Sequence, residues 1–259
     1  MSEPVLYEVA DQVATITLNR PEARNALNAA ALFMLRDALS CSADDADVRV
    51  VVLTGIGDTF CAGADVKAAL SGDAGGFAAT GPQAMADLMC QILDHPKPTI
   101  ARVQGNVYGG GNGLLASCDL SVAVDTARFA FSEVRLGVTP AIISVVCLRK
   151  MAAADAAELC LLGERVSAQR VRSAGLINAV EPADGLDSRI AQWIQSLRLG
   201  GPNALTGTKE LLRRVPGMPR DEAFAYTADL SGEYFRSAEA AEGMTALLQK
   251  RPPQWAAEA

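Results

Sequence analysis

The chain has 259 residues, half of them apolar, enough for one large domain or one domain with an appendage. Its 30 acidic residues outnumber 23 basic ones, a formal net charge of -7, and no Lys/Arg block is present to track a phosphate backbone, which excludes nucleic acid as the main partner. The six cysteines (Cys41, Cys61, Cys90, Cys118, Cys147 and Cys160) form no CxxC pair and read as buried thiols in a reducing compartment, with no metal site.

The N-terminal MSEPVLYEV lacks a basic segment followed by an apolar core, and the apolar run at 141–148 is too short to span a bilayer, so a cytoplasmic protein without a membrane partner is expected. Residues 5–9 and 13–18 are β-rich runs separated by Ala-Asp-Gln and predict a hairpin. Asn28 is placed to cap an amphipathic helix with Leu32, Leu35 and Leu39 at helical spacing. The run VRVVVLTG at 48–55 is short and continuously apolar, as in a strand buried on both faces of a parallel or mixed sheet. A helix at 82–93, a strand at 98–103, a glycine loop, a helix at 111–117 and a strand at 119–124 continue the alternation. Beyond Pro140 the pattern is helical, interrupted at 175–180, and the stretch from 186 to 259 reads as a helical region following a core of residues 1–185.

The glycine loop is YGGGNGLLASCD at 108–119. A loop that leaves a buried strand and enters a helix delivers backbone N–H groups and the positive end of a helix dipole to one point. A glycine cluster standing alone is more often a tight turn, and neither the P-loop nor the dinucleotide spacing is present. A second stretch, FCAGADVK at 60–67, also follows a buried strand, and two such loops could each offer one N–H to a single oxygen. The sole histidine, His95 in DHPKP, reads as a turn residue and cannot serve a His-based triad and a metal site together.

NRPEARNALN at 19–28, FCAGADVK, GNVYGGGNGLLASCDL at 105–120, FSEVRLGVTPA at 131–141, LLGERVSAQRVRSAGLINAV at 161–180 and EGMTALLQKRPPQW at 242–255 together resemble the crotonase superfamily, also called the enoyl-CoA hydratase/isomerase family. The likeness runs in order over nearly the whole chain. It implies an α/β fold, a crotonase-like spiral of ββα units followed by a C-terminal helical trimerisation region. It implies an acyl-CoA thioester as substrate, coenzyme A entering as part of that substrate with no separate cofactor, and a homotrimer or a hexamer built as a dimer of trimers.

By the same resemblance, the thioester carbonyl would sit between the N–H groups of Ala64 and Gly110, which stabilise an enolate more than the starting carbonyl. Of two glutamates that hydratases of the family commonly use, the first position holds Gly113 here, and the second matches Glu133. Flanked by Phe129, Phe131, Val134 and Leu136, Glu133 is expected to be partly dry, with a raised pKa, and to act as the acid/base. Asn112 could orient a water beside the vacant position or simply cap a helix. Gly111 belongs to the same loop, and Asp65 is counted with the binding loops, although Asp65 and Asp119 read more simply as backbone-bonding groups. Backbone around Arg24, Ala26, Ala62 and Val66 would hold coenzyme A, with Lys67 and, from a neighbouring subunit, Lys250 near its phosphates. Arg135 reads as a surface ion-pair residue or, alternatively, as a group for a substrate carboxylate. Acyl specificity is expected from walls at 68–89 and 141–146. The resulting expectation is an enoyl-CoA hydratase, with a Δ3,Δ2-enoyl-CoA isomerase and a non-catalytic acyl-CoA-binding member as alternatives.

Overall fold

The chain opens with a hairpin, β1 (Val5–Ala10) and β2 (Val13–Leu18), paired antiparallel with Ala10 opposite Val13. Its two-residue loop, Asp11 and Gln12, takes positive φ at both positions, 48° and 61°, the geometry whose twist matches the flanking strands. This is a computed structural model, and it describes residues 3–67 and 77–257. Asn28 caps α1 (Ala29–Asp44) through its side-chain oxygen, which accepts from Ala31 N–H at 2.9 Å. The apolar side of α1, with Leu32, Leu35 and Leu39 buried, faces the core as the spacing predicts.

The strand β3 (Val50–Gly55) is buried along its whole length between β2 and β5 (Thr99–Val103), both parallel to it. With β7 (Leu120–Val124) and β10 (Ala179–Glu181) these make a six-stranded sheet in the order β1-β2-β3-β5-β7-β10, in which only β1 runs antiparallel. One face packs against α1, α2 (Phe77–Leu93) and α3 (Gly110–Ser117), forming the main core. The other face is covered by α7 (Leu186–Arg198), which contributes Leu186 and Ile190 to a second core with Val50, Val52, Ile100 and Val122.

A second, smaller sheet has no clear signal in the sequence. It consists of β4 (Thr59–Cys61), β6 (Asn106–Tyr108), β8 (Arg128–Ala130) and β9 (Val166–Ser167), in that order. The first three are parallel neighbours. Strands of two or three residues are too short to show a period of two, which is why periodicity misses them.

Between the sheets and the tail lie α4 (Ala141–Cys147), α5 (Ala153–Leu162) and α6 (Ala168–Ser173). The tail is helical: α8 (Pro202–Arg214), α9 (Arg220–Phe235), α10 (Ala238–Gln249) and α11 (Gln254–Ala257). Helix α8 is held to the turn before β5 by three side chains. Lys209 Nζ donates to Lys97 C=O at 2.8 Å and pairs with Asp119 at 2.6 Å, Thr206 donates to Pro96 C=O at 2.7 Å, and Arg213 pairs with Asp94. In turn α10 caps α8, because the Glu239 carboxylate accepts from the N–H groups of Asn203 (3.0 Å) and Ala204 (2.8 Å).

His95 lies in the turn between α2 and β5, as its sequence context predicts, but it is fully buried there. Lys97 N–H donates to Nδ1 at 3.1 Å, and Nε2 lies 3.1 Å from Ser42 Oγ, so the neutral tautomer joins this turn to the end of α1. Burial pushes its pKa down. The thiols differ from expectation in part. Cys61, Cys118 and Cys147 are buried, and burial raises the first two to about 12, but Cys41 and Cys90 lie on exposed faces of α1 and α2.

Candidate active site

Each residue expected to carry chemistry follows the end of one of the three parallel strands of the small sheet. β4 ends at Cys61, three residues before Ala64; β6 ends at Tyr108, two before Gly110; β8 ends at Ala130, three before Glu133. Because β4, β6 and β8 lie side by side, their following loops meet at the carboxyl edge of this sheet. In parallel α/β architectures that edge is where ligands bind, since loops converge there and helix N-termini point at it.

The first two loops come into contact at their glycines. A methyl group on Gly63 would lie 2.7 Å from Gly110 N, and Gly63 takes φ +83°, so a side chain is excluded twice over. A methyl on Gly110 would sit 3.8 Å from Ala64 N.

The direction of each N–H follows from the carbonyl in the same peptide plane, because a trans peptide points its C=O and N–H in opposite directions. Gly63 C=O accepts from Leu27 N–H at 2.8 Å, and Asp65 N–H donates to Leu27 C=O at 3.1 Å. This one-residue parallel bridge uses the groups on either side of Ala64 and leaves the Ala64 N–H facing away from Leu27. Gly109 C=O likewise accepts from Asn112 N–H at 2.9 Å and from Asn112 Nδ2 at 3.3 Å, which turns the Gly110 N–H the other way. Gly110 is the first residue of α3, where intrahelical partners for N–H do not exist. Neither the Ala64 nor the Gly110 N–H is spent on another group among the described residues.

Glu133 lies in a 3-10 turn (Ser132–Leu136) with its Oε1 3.4 Å from where a side chain on Gly109 would begin. The carboxyl is half-buried, and its Oε2 has no hydrogen-bond partner. Burial raises its pKa, opposed by a hydrogen bond from its own backbone N–H. The dry surroundings differ from those expected. Phe129 and Phe131 are buried, but Val134 and Leu136 face outward. A run of four apolar neighbours in sequence does not report their side, because a 3-10 turn points successive side chains about a third of a turn apart.

Gly113, one turn along α3 from Gly110, is closed over. A methyl there would meet Met89 Cε at 2.2 Å and Ile143 Cγ2 at 2.6 Å. Met89 and Ile143 are both buried. The first glutamate position of the family is therefore packed with hydrocarbon. Asn112 is not the cap of α3; that position is Gly109, and Asn112 is the third helical residue. Its side chain is fully buried, with Nδ2 donating to Ala130 C=O at 2.9 Å as well as to Gly109, and with Oδ1 unpartnered.

The remaining expected residues divide by location. Arg24 is exposed, in a left-handed conformation, and its C=O accepts from Ala62 N–H at 3.0 Å. Ala26 is buried, and its C=O accepts from the Arg20 guanidinium. Asp65 is paired with that same guanidinium at 3.0 Å, so the carboxylate serves the loop. Gly111 is buried against Cys61 C=O, while Val66 and Lys67 are exposed at the end of this loop. Lys250 is exposed at the C-cap of α10. Arg135 is on the surface, donating to Leu162 C=O at 3.1 Å and lying 3.9 Å from Glu164. Of the expected acyl wall at 68–89, residues 68–76 lie outside the described residues.

Two residues with no expected role build the site indirectly. Asn25 is buried and makes three bonds: Nδ2 donates to Ile56 C=O (3.0 Å) and Thr59 C=O (2.7 Å), and Oδ1 accepts from Arg20 N–H (2.8 Å). With Arg20 it holds the 19–28 loop in place, and that loop presents Leu27 to Gly63. The only sequence cue was the run of polar residues in NRPEARN, which reads equally well as a solvated loop.

Nearly the whole chain, residues 8–258, matches the family model described as enoyl-CoA hydratase/isomerase. The chain belongs to the enoyl-CoA hydratase/isomerase family. Among its relatives, the carnitinyl-CoA dehydratase of Citrobacter koseri is 34% identical over 98% of this chain and 99% of its own length. A Thermus thermophilus protein with an enoyl-CoA hydratase name is 33% identical over 94% and 97%. The crystal structure of an enoyl-CoA hydratase from Mycobacterium smegmatis superposes with a TM-score of 0.92 at 33% identity, covering 98% of this chain and 99% of that one. Pseudomonas aeruginosa AtuE gives 0.91 at 33% identity over 98% and 100%. The α/β fold is thus that of crotonase-family hydratases, with the C-terminal helices present.

Proposed function

We propose that the protein is an enoyl-CoA hydratase that works with one carboxyl group. The thioester oxygen of a 2-enoyl-CoA accepts from Ala64 and Gly110 N–H. Glu133, ionised, takes a proton from a water whose oxygen bonds to Cβ; the C=C electrons move to the thioester as an enolate. Glu133 then returns that proton to Cα, so one water is consumed and the base is regenerated. The observation that carries this reading is a half-buried carboxyl, with one buried oxygen unpartnered, beside two neighbouring N–H groups that are unspent among the described residues. It also weighs against a non-catalytic acyl-CoA-binding member, since an unpaired buried carboxyl costs stability and a binding-only pocket gains nothing from it.

In the same reading, backbone at Arg24, Ala26, Ala62 and Val66 holds coenzyme A, and Lys67 with a neighbouring subunit's Lys250 offsets its phosphate charge. The subunits assemble as trimers or paired trimers, in the cytoplasm, where free thiols persist. Among the described residues no helix is long and apolar enough to cross a membrane.

One observation favours a second reading, the Δ3,Δ2-enoyl-CoA isomerase: Met89 and Ile143 occupy the place of a second carboxylate, and moving a proton between two carbons needs only one. Purified protein incubated with 2-enoyl and 3-enoyl thioesters of CoA separates these. Formation of 3-hydroxyacyl-CoA from the 2-enoyl series is expected. Conjugation of 3-enoyl substrates without uptake of labelled oxygen from water establishes the isomerase instead, and binding without turnover of either series rejects both.

A further inference from the structure

We propose that Asn112 is a positioning residue that aims the Gly110 N–H and locks it to the segment carrying Glu133. This rests on the reading of Ala64 and Gly110 as donors to a thioester oxygen.

The two donors are aimed by the same device, fixation of the carbonyl across their own peptide plane, but by different partners. For Ala64 the holder is backbone, Leu27 N–H on Gly63 C=O. For Gly110 it is partly a side chain, Asn112 Nδ2 on Gly109 C=O at 3.3 Å, added to the Asn112 N–H. Gly109 needs such restraint because its φ of 50° and ψ of -124° lie where glycine is free to move.

The second Nδ2 proton reaches Ala130 C=O at 2.9 Å, which also accepts from Gly109 N–H at 3.0 Å. Ala130 is three residues before Glu133. One carboxamide therefore spans the oxyanion loop and the root of the acid/base turn, and a displacement of either is felt by the other. A plain helix cap does not fit this arrangement, because Asn112 lies inside the helix and its Oδ1 is buried with no partner. That orphan oxygen costs stability, so the residue is poorly explained by packing alone.

Removing the side chain leaves both carbonyls with a backbone partner, so Asn112→Ala is expected to fold. The test compares wild type, Asn112→Ala and Asn112→Ser for turnover and for the absorbance of a bound 2,4-dienoyl-CoA, whose band moves to longer wavelength as its carbonyl is polarised. For Asn112→Ala we expect kcat to fall by about 10–100-fold with KM within about threefold, because donor aim and not ground-state binding is lost. The red shift shrinks in parallel. Asn112→Ser, whose hydroxyl can still donate to the carbonyl three residues back, recovers part of both. Glu133→Gln keeps the full shift while losing turnover.

Wild-type kcat and shift in Asn112→Ala would overturn the inference, as would a kcat loss with the shift undiminished. A wild-type protein that binds the dienoyl thioester without a shift and converts no substrate overturns the functional reading itself, and this inference with it.

Discussion

In the proposed reaction, Glu133 pulls stability and activity in opposite directions. Its carboxyl is half-buried, lacks a partner at Oε2, and has a raised pKa because burial disfavours the charged form. A raised carboxyl pKa means that the fold favours the protonated group. Stability is lost as pH rises through the ordinary glutamate range, about 4.3, towards the folded value. Glu133→Gln removes that cost at neutral pH. It is expected to unfold about 2–4 °C higher by calorimetry while losing about 10²–10⁴-fold in kcat. The acid limb of kcat/KM in the wild type should lie above about 4.3, since the base must be ionised. Full activity in the variant, or an acid limb at the ordinary value, removes Glu133 from this role. Its position was legible from FSEVRLG, but the groups that dry it were not. Burial of its carboxyl depends on how the 3-10 turn packs, and packing of that kind leaves no local mark.

At the scale of elements, the close approach of α3 to α2 and α4 is what sets the chemistry available at Gly113. Met89 and Ile143 fill the space a side chain would take. Gly113→Ala is therefore expected to cost about 1–3 kcal/mol in chemical denaturation, because the added methyl overpacks a tight core. The Met89 end can swing aside, whereas the Cγ2 branch of Ile143 on short α4 cannot, so Gly113→Ala combined with Ile143→Leu, which removes that branch, should recover more stability than the combination with Met89→Leu. A neutral Gly113→Ala would mean the contact is slack. From sequence, the missing glutamate was visible as a glycine, but not what replaced its volume. The three strands that gather the loops were also invisible, each being three residues long.

The whole molecule exposes more hydrocarbon on its helical tail than a soluble monomer keeps in contact with water. Leu247 (78%), Leu248 (83%), Phe224 (70%) and Phe235 (69%) are largely solvent-facing in the single chain, whereas Tyr226 and Tyr234 spend their hydroxyls on Glu210 and the Asn203 carbonyl. Such a surface favours self-association. Sedimentation equilibrium should give three or six times the mass of the chain, and a monomer at micromolar concentration would reject the assembly proposed above.

The hairpin at 5–18, the buried strand near 50, the α1 cap and the alternation of strand and helix could all be read from residue order alone. Each depends on apolar spacing or capping within a few neighbours, interactions that the local sequence carries in full. Tertiary structure decided what could not be read in this way: that β4, β6 and β8 stand side by side, that Gly63 and Gly109 have their carbonyls held so that the next N–H faces the site, and that hydrocarbon covers Gly113. These depend on pairings such as Thr59 with Asn106 and Val107 with Phe129, where residues far apart in the chain meet only in the folded tertiary structure. The direction of an N–H is set by its partner across the peptide plane, and here those partners are Leu27 and Asn112.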